Sequence, residues 1–400
     1  MELVCADSLE AVERLRSSWE ALQSADRFPN VNSDIDRYIS VVKSLGSQSS
    51  PHVIMLSREG RPVAMLLGRI EEQGVDVRIG YRTILKPRLK ALTIVHGGVL
   101  GSFDGEVARE VSKHLDGLFA DGTVDVVFFN HISAEMPVYG AVREMAGFFR
   151  LSHLAVKEPR WIMTMPESMD AFYGAMSTVT RRSMRRAVKS IEKEYPERVE
   201  HVVFEGGERL DAIMAEMHSV SVKTYQHAMG VGFVDTPAER QRYRDAAALG
   251  WLRVHLLRVD GECIAFDAAL EYKGSYFLIA AGYDPALRNL APGKVLVQMV
   301  INYLCNNRAV ERLDFGFGDA DYKRVYCDSS IAESQVYLFA PRVRTILLNM
   351  ARTAALGIGR LCTLATERIG SIGRIKRAWR DRLRKTRAAE GSDDAQQGES

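Results

Sequence analysis

Arg288, Ala291 and Gly293 stand in an R-x-x-A-x-G spacing, just after the apolar run 276–282 and just before an amphipathic segment that begins near Lys294. Small residues let backbone N–H groups approach an anion closely, and a helix N-terminus adds partial positive charge. Strand, tight loop and helix start therefore make a holder for a phosphate-bearing cofactor. A plain Pro-Gly turn would carry the same wording, since Pro292 removes one donor. Ala291 in a position suited to glycine also requires a backbone that keeps negative φ. Further along, Asp314-Phe-Gly-Phe-Gly-Asp-Ala-Asp-Tyr-Lys323 gathers carboxylates, a phenol and an ammonium into one short cluster.

Three other places carry titratable or cationic groups. Asp267 interrupts the apolar run 263–270, so its carboxyl lies at a cleft or in a structural pair. His218 falls in a helical segment, where a satisfied surface or core histidine is more common than a catalytic one. Arg182, Arg185, Arg186 and Lys189 share one helix face, with Met184, Val188 and Ile191 on another. Such a face either holds an anionic acceptor or is merely solvated.

The elements that position these residues follow from periodicity. Helical spacing covers 8–24 and 33–45, followed by strands 52–57 and 62–68 around the turn 58–61. Strand 89–95, helix 104–119, strand 124–129 and helix 136–149 come next. The second half begins with helices 168–194 and 208–225, then strands 252–259, 263–272 and 275–282, helix 294–306 and strand 312–315. Helices, an antiparallel meander, a loop, a helix and a last strand thus occur twice, which predicts two similar α+β domains. Residues 342–387 read as a basic amphipathic helical tail broken by glycines, and 388–400 as a disordered acidic end.

Composition excludes several classes. A net charge of +2 does not suggest nucleic acid as a partner. Cys5, Cys263, Cys305, Cys327 and Cys362 are scattered without a C-x-x-C pair, which argues against a disulfide framework or a metal site and for a reducing compartment. A secretory signal is not expected from the first residues, and no uncharged apolar stretch reaches the ~18 residues of a spanning helix. A cytoplasmic protein is the expectation. The basic tail can lie on an anionic membrane surface, pack on the protein or remain flexible.

The Asp314–Lys323 wording resembles the D-F-G-x-G-(D/x)-x-x-Y-K signature of the CelD-like branch of the GNAT acyltransferases, found with cellulose and exopolysaccharide synthesis. Gly282-Tyr-Asp-Pro285 and Pro292-Gly293-Lys294 match that branch's G-Y-D-P and P-G motifs, and Arg288–Gly293 resembles the superfamily's R/Q-x-x-G-x-G/A loop. Thr180–Ala187 resembles a segment shared with Fem-type transferases. The chain departs from the branch at Tyr326, where Trp is usual, and at Ala291, where Ser is usual. D-F-G also occurs in protein kinases, but the glycine loop, V-A-I-K strand and H-R-D loop are missing.

The resemblance implies two tandem GNAT-like domains, 1–155 and 156–341, each a mixed, mostly antiparallel sheet flanked by helices. It implies acyl transfer from acyl-coenzyme A to an amine or hydroxyl of a small-molecule or glycan-linked acceptor. Ala280, Ala281 and Gly282 would meet the thioester, and Arg288, Ala291, Gly293 and Lys294 the pyrophosphate. Tyr322 is the candidate acid for the departing thiolate, because a phenol has a suitable pKa. Asp319 and Asp267 are base candidates, with His218 third. Arg182, Arg185, Arg186 and His218 are the acceptor-binding candidates, and Lys323 is expected to pair with Asp314 or Asp321. The alternatives are a Fem-type transferase using aminoacyl-tRNA and a non-catalytic component of a polysaccharide assembly complex.

Overall fold

The computed structural model describes residues 1–80, 82–153, 157–224 and 232–368. They form two compact units, Met1–Arg160 with Ser330–Arg368, and Trp161–Ser329.

In the first unit, strands Glu2–Ala6, Ser49–Arg58, Arg61–Gly74, Arg88–Gly101, Val126–Ser133 and Ser329–Phe339 lie in that order in the sheet. All neighbours are antiparallel except Arg88–Gly101 and Val126–Ser133. Alternation decides which side chains meet which helices. Val53, Met65 and Leu67 pack with Val12, Trp19, Ile35 and Val42 of the N-terminal helices. Ile54, Leu56 and Leu66 pack with Val107, Val111, Leu115, Val138 and Val142 of helices Gly105–Ala120 and Pro137–Arg150. Glu59 and Gly60 both take positive φ, the twisted two-residue turn expected of 58–61.

The second unit orders its strands Lys157–Thr164, Arg312–Phe317, Ser275–Tyr283, Glu262–Tyr272, Leu252–Val259 and Val199–Phe204. Helices Thr178–Glu194 and Pro292–Asn306 cover a core of Met184, Ile191, Ala265, Ala269, Tyr276, Val295, Leu296 and Val300. Each unit contains the same run: an antiparallel pair, a helix, and a strand returning parallel to the second member of the pair. The α+β reading and its repeated order hold.

Several boundaries differ. The helix expected over 8–24 is Leu9–Arg14 and Arg16–Ser24, separated at Leu15 with ψ −1°. That expected over 168–194 is Met169–Gly174 and Thr178–Glu194, because Ser177 turns extended and caps Thr180 N–H. Strands Glu2–Ala6, Val199–Phe204 and Ser329–Phe339 and helix Pro237–Ala248 have no counterpart in the sequence reading. Strand Ser329–Phe339 pairs with Val126–Ser133 and so completes the first unit.

The basic tail begins as helix Val343–Arg368 of the first unit. Arg342 ion-pairs with Asp125 at 2.9 Å, Asn349 Nδ2 donates to the Phe149 and Leu151 carbonyls, and Arg352 lies over the Tyr337 ring. Residues 369–400, most of the expected tail and acidic end, lie outside the described residues.

Candidate active site

Strand Ser275–Tyr283 is irregular on both edges. Against Glu262–Tyr272, Ala268 pairs with Ala280 and Ala269 with Leu278, so Ile279 is an extra, bulged residue, 41% exposed. Against Arg312–Phe317, the parallel register runs Ser275–Arg312, Tyr276–Leu313, Phe277–Asp314 and stops, although both strands continue. From Leu278 onward this edge is available to an extended ligand that pairs with backbone groups. Ala280, Ala281 and Gly282 lie on that segment.

The strand runs directly into the loop. Asp284 accepts from Ala286 N–H at 2.9 Å and pairs with Lys223 at 2.7 Å, starting the 3-10 turn Pro285–Leu290. Ala291 N–H donates to the Arg288 carbonyl at 3.2 Å. Ala291 itself has φ 51° and ψ 52°, so the expectation of negative φ there is wrong. A residue with a Cβ pays about 1–2 kcal/mol for this left-handed geometry. It is held because the Ala291 carbonyl accepts from both Lys294 and Val295 N–H, which begins helix Pro292–Asn306. No side chain caps that helix. Ala291 and Lys294 use their amides internally and Pro292 has none, which leaves the Gly293 N–H as the loop's donor outside these bonds. A Cβ on Gly293 would approach the Tyr283 ring to 3.3 Å, so the glycine permits close packing there.

Helix Thr178–Glu194 packs on both the turn and the helix after it. Lys294 Nζ donates to Ser183 Oγ at 3.1 Å. Gln298 Nε2 donates to the Met184 and Lys294 carbonyls, while its Oε1 accepts from Tyr173 OH at 2.7 Å. Arg182, Arg185 and Arg186 are exposed on this helix, and Arg185 covers the Tyr173 ring at 4.8 Å. These cations thus belong to the same helix pair as the loop.

The Asp314–Lys323 cluster is a clasp. Asp314, buried, accepts from Gly316 N–H at 2.8 Å, and Gly316 and Gly318 take positive φ. Lys323 is buried and donates to the Phe317 carbonyl at 2.6 Å and the Gly316 carbonyl at 3.3 Å. Lys323 thus bonds carbonyls, while the Asp314 charge also acts on it; burial lowers its pKa. Tyr322, one residue earlier, is 45% exposed, with its ring near Phe315 and Tyr326. Asp319 forms a forked pair with Arg324, which lowers its pKa and leaves a weak base.

Asp267 is 7% exposed and accepts from the buried Tyr276 hydroxyl at 2.9 Å. Burial raises its pKa to about 7, against the opposing effect of that bond. It lies in register with Ala281 but inside the sheet's covered face. His218 sits half-buried on helix Leu210–Ser221. Ser183, Gln298 and the positioning part played by Lys323 were missed in the sequence; only the adjacency of Tyr322 and Lys323 hinted at the last.

The bulged strand that splays from its parallel neighbour and feeds an uncapped helix start lies inside the one segment of the chain that a family model matches. Residues 178–324 match the family described as acetyltransferase (GNAT) domain. Among solved structures, the chain resembles FemX at TM-score 0.57 and 8% identity, covering 87% of this chain and 100% of that one. It resembles a tandem GNAT protein from the clavulanic acid biosynthesis pathway at TM-score 0.50 and 10% identity, covering 85% and 99%. A conserved protein of unknown function from Bacteroides thetaiotaomicron VPI-5482 has TM-score 0.50 and 11% identity, covering 84% and 100%. These likenesses are of fold. No curated protein sequence matches the chain.

Proposed function

We propose that the second unit transfers an acyl group from acyl-coenzyme A to an amino or hydroxyl group of a sugar, cell-envelope or small-molecule acceptor. The observation that carries this reading is the end of the parallel register at Phe277–Asp314, on a strand that leads to the Gly293 N–H at an uncapped helix start. Gly293, with the Arg288 and Lys294 side chains, holds the pyrophosphate. The opened edge of Ser275–Tyr283 pairs with the pantetheine arm, and an N–H among Ala280–Gly282 polarises the thioester carbonyl. Tyr322 donates its proton to the departing thiolate. Arg182 and Arg186 add positive charge beside the loop and draw in anionic substrates.

The test is binding of acetyl- and longer acyl-coenzyme A to the full chain, with slow thioester hydrolysis as the second readout. Micromolar binding lost in Arg288→Ala supports the reading. Absence of binding to every acyl-coenzyme A overturns it, and binding of aminoacyl-tRNA instead supports the Fem-type alternative. The exopolysaccharide setting rests on the CelD-like wording alone.

We also propose that helix Val343–Arg368 contacts an anionic membrane surface. Val343, Leu347, Met350, Ile358 and Leu361 are exposed and fall on one helical stripe, with exposed Arg344 and Arg360 to its sides. No helix among the described residues is long and apolar enough to cross a membrane. Leu347→Asp with Leu361→Asp should reduce pelleting with vesicles containing anionic lipid; unchanged pelleting would remove this proposal.

A further inference from the structure

Cys5, His52 and His114 come from three separate elements of the first unit: strand Glu2–Ala6, strand Ser49–Arg58 and helix Gly105–Ala120. Cys5 pairs in register with Ile54, two residues from His52, so their side chains share a sheet face. Helix Gly105–Ala120 covers that face through Val107, Val111 and Leu115, and His114 lies beside the last of these. Cys5 Sγ is 3.6 Å from His52 Nε2, and His52 Nε2 is 2.9 Å from His114 Nε2. The three ligand atoms all lie within 4.8 Å of one another.

We infer that Cys5, His52 and His114 form a binding site for a transition-metal ion of the zinc type. One thiolate and two imidazoles are the ligand types such an ion selects. With metal–nitrogen bonds of about 2.0–2.1 Å and metal–sulfur of about 2.3 Å, tetrahedral ligands stand roughly 3.3–3.6 Å apart. The Cys5–His52 separation already fits, the two imidazoles need to part by a few tenths of an ångström, and Cys5 and His114 stand within 4.8 Å of each other. Burial lowers His52 to about 4 and also lowers His114, so both rings offer a lone pair. Burial raises the Cys5 thiol to about 11, so its proton leaves to solvent only as the metal–sulfur bond forms. Asp7, whose charge reaches both Cys5 and His52, offsets part of the ion's charge. Its three ligands would tie strands Glu2–Ala6 and Ser49–Arg58 and helix Gly105–Ala120 together, with water in the fourth position.

The probe is Co2+ added to the reduced full chain, with Cys362→Ser as background because Cys362 is exposed. The expected result is one equivalent bound with a thiolate-to-cobalt charge-transfer band and tetrahedral visible bands, both displaced by Zn2+. Cys5→Ser should abolish the charge-transfer band, and His114→Gln should weaken binding at least tenfold while circular dichroism stays native. A charge-transfer band that persists in Cys5→Ser, or no tetrahedral spectrum at saturating Co2+, overturns the inference. Should Cys5→Ser fail to fold, a Zn2+-dependent rise in the melting temperature that disappears in His114→Gln carries the same test.

Discussion

Lys323 donates through Nζ to the Phe317 carbonyl at 2.6 Å, six residues back along its own chain. That bond closes the turn between strand Arg312–Phe317 and helix Asp321–Tyr326 and so fixes where Tyr322 emerges. Lys323→Met keeps the apolar stem and removes the ammonium donor from two part-buried carbonyls. Urea denaturation should show a loss of about 1–3 kcal/mol. Tyr322 should also lose its position, so turnover should fall more than acyl-coenzyme A affinity. A stability unchanged within error would show that solvent satisfies these carbonyls.

Ala291 pays for a left-handed backbone that glycine adopts without strain. Ala291→Gly should therefore stabilise the fold, by up to about 1 kcal/mol once the greater freedom of the unfolded chain is subtracted. Ala291→Val should destabilise it. Melting temperatures of the two variants, moving in opposite directions, check this. A loss on Ala291→Gly would mean that the methyl packs more than it strains.

Tyr322→Phe removes a hydroxyl from an exposed ring and leaves its contacts with Phe315 and Tyr326. As the thiolate's acid it should contribute about 10²–10⁴-fold to turnover. The Michaelis constant for acyl-coenzyme A should change little. Turnover equal to that of the parent protein would exclude Tyr322 from proton transfer.

Asp267 gives the chain a pH signature. Its carboxyl is ionised above about pH 4 when unfolded, but in the fold its pKa is about 7. Between those values the native state holds one proton more than the unfolded state, so stability falls as pH rises, by about 1.4 kcal/mol per pH unit. Above about pH 7 the folded group also ionises and the slope vanishes. Asp267→Asn should remove this decline while keeping an acceptor for the Tyr276 hydroxyl. Denaturation midpoints from pH 4 to 8 for both proteins give the comparison; parallel curves would assign the slope elsewhere.

The wording of 282–294 was sufficient to mark out strand, loop and helix, and that of 314–323 a dense polar cluster, because small residues, prolines and apolar periodicity act over a few neighbours. The repeated order of elements was legible for the same reason. Val199–Phe204 and Ser329–Phe339 were not, since each becomes a strand by finding a partner far along the chain. Local wording also could not tell that Ala291 would turn left-handed, because the helix start compensates it. Nor could it tell that Lys323 would bind carbonyls or that Asp319 would be held by Arg324. Cys5, His52 and His114 are the extreme case: spacing along the chain argued against a metal site, and only sheet register and helix packing bring the three together. The sequence by itself determined most of the elements, through short-range sterics and hydrophobic patterning, and its motif wording pointed to the class of chemistry. The tertiary structure decided which polar groups are buried, paired or exposed, because burial and pairing are set by residues distant in the chain.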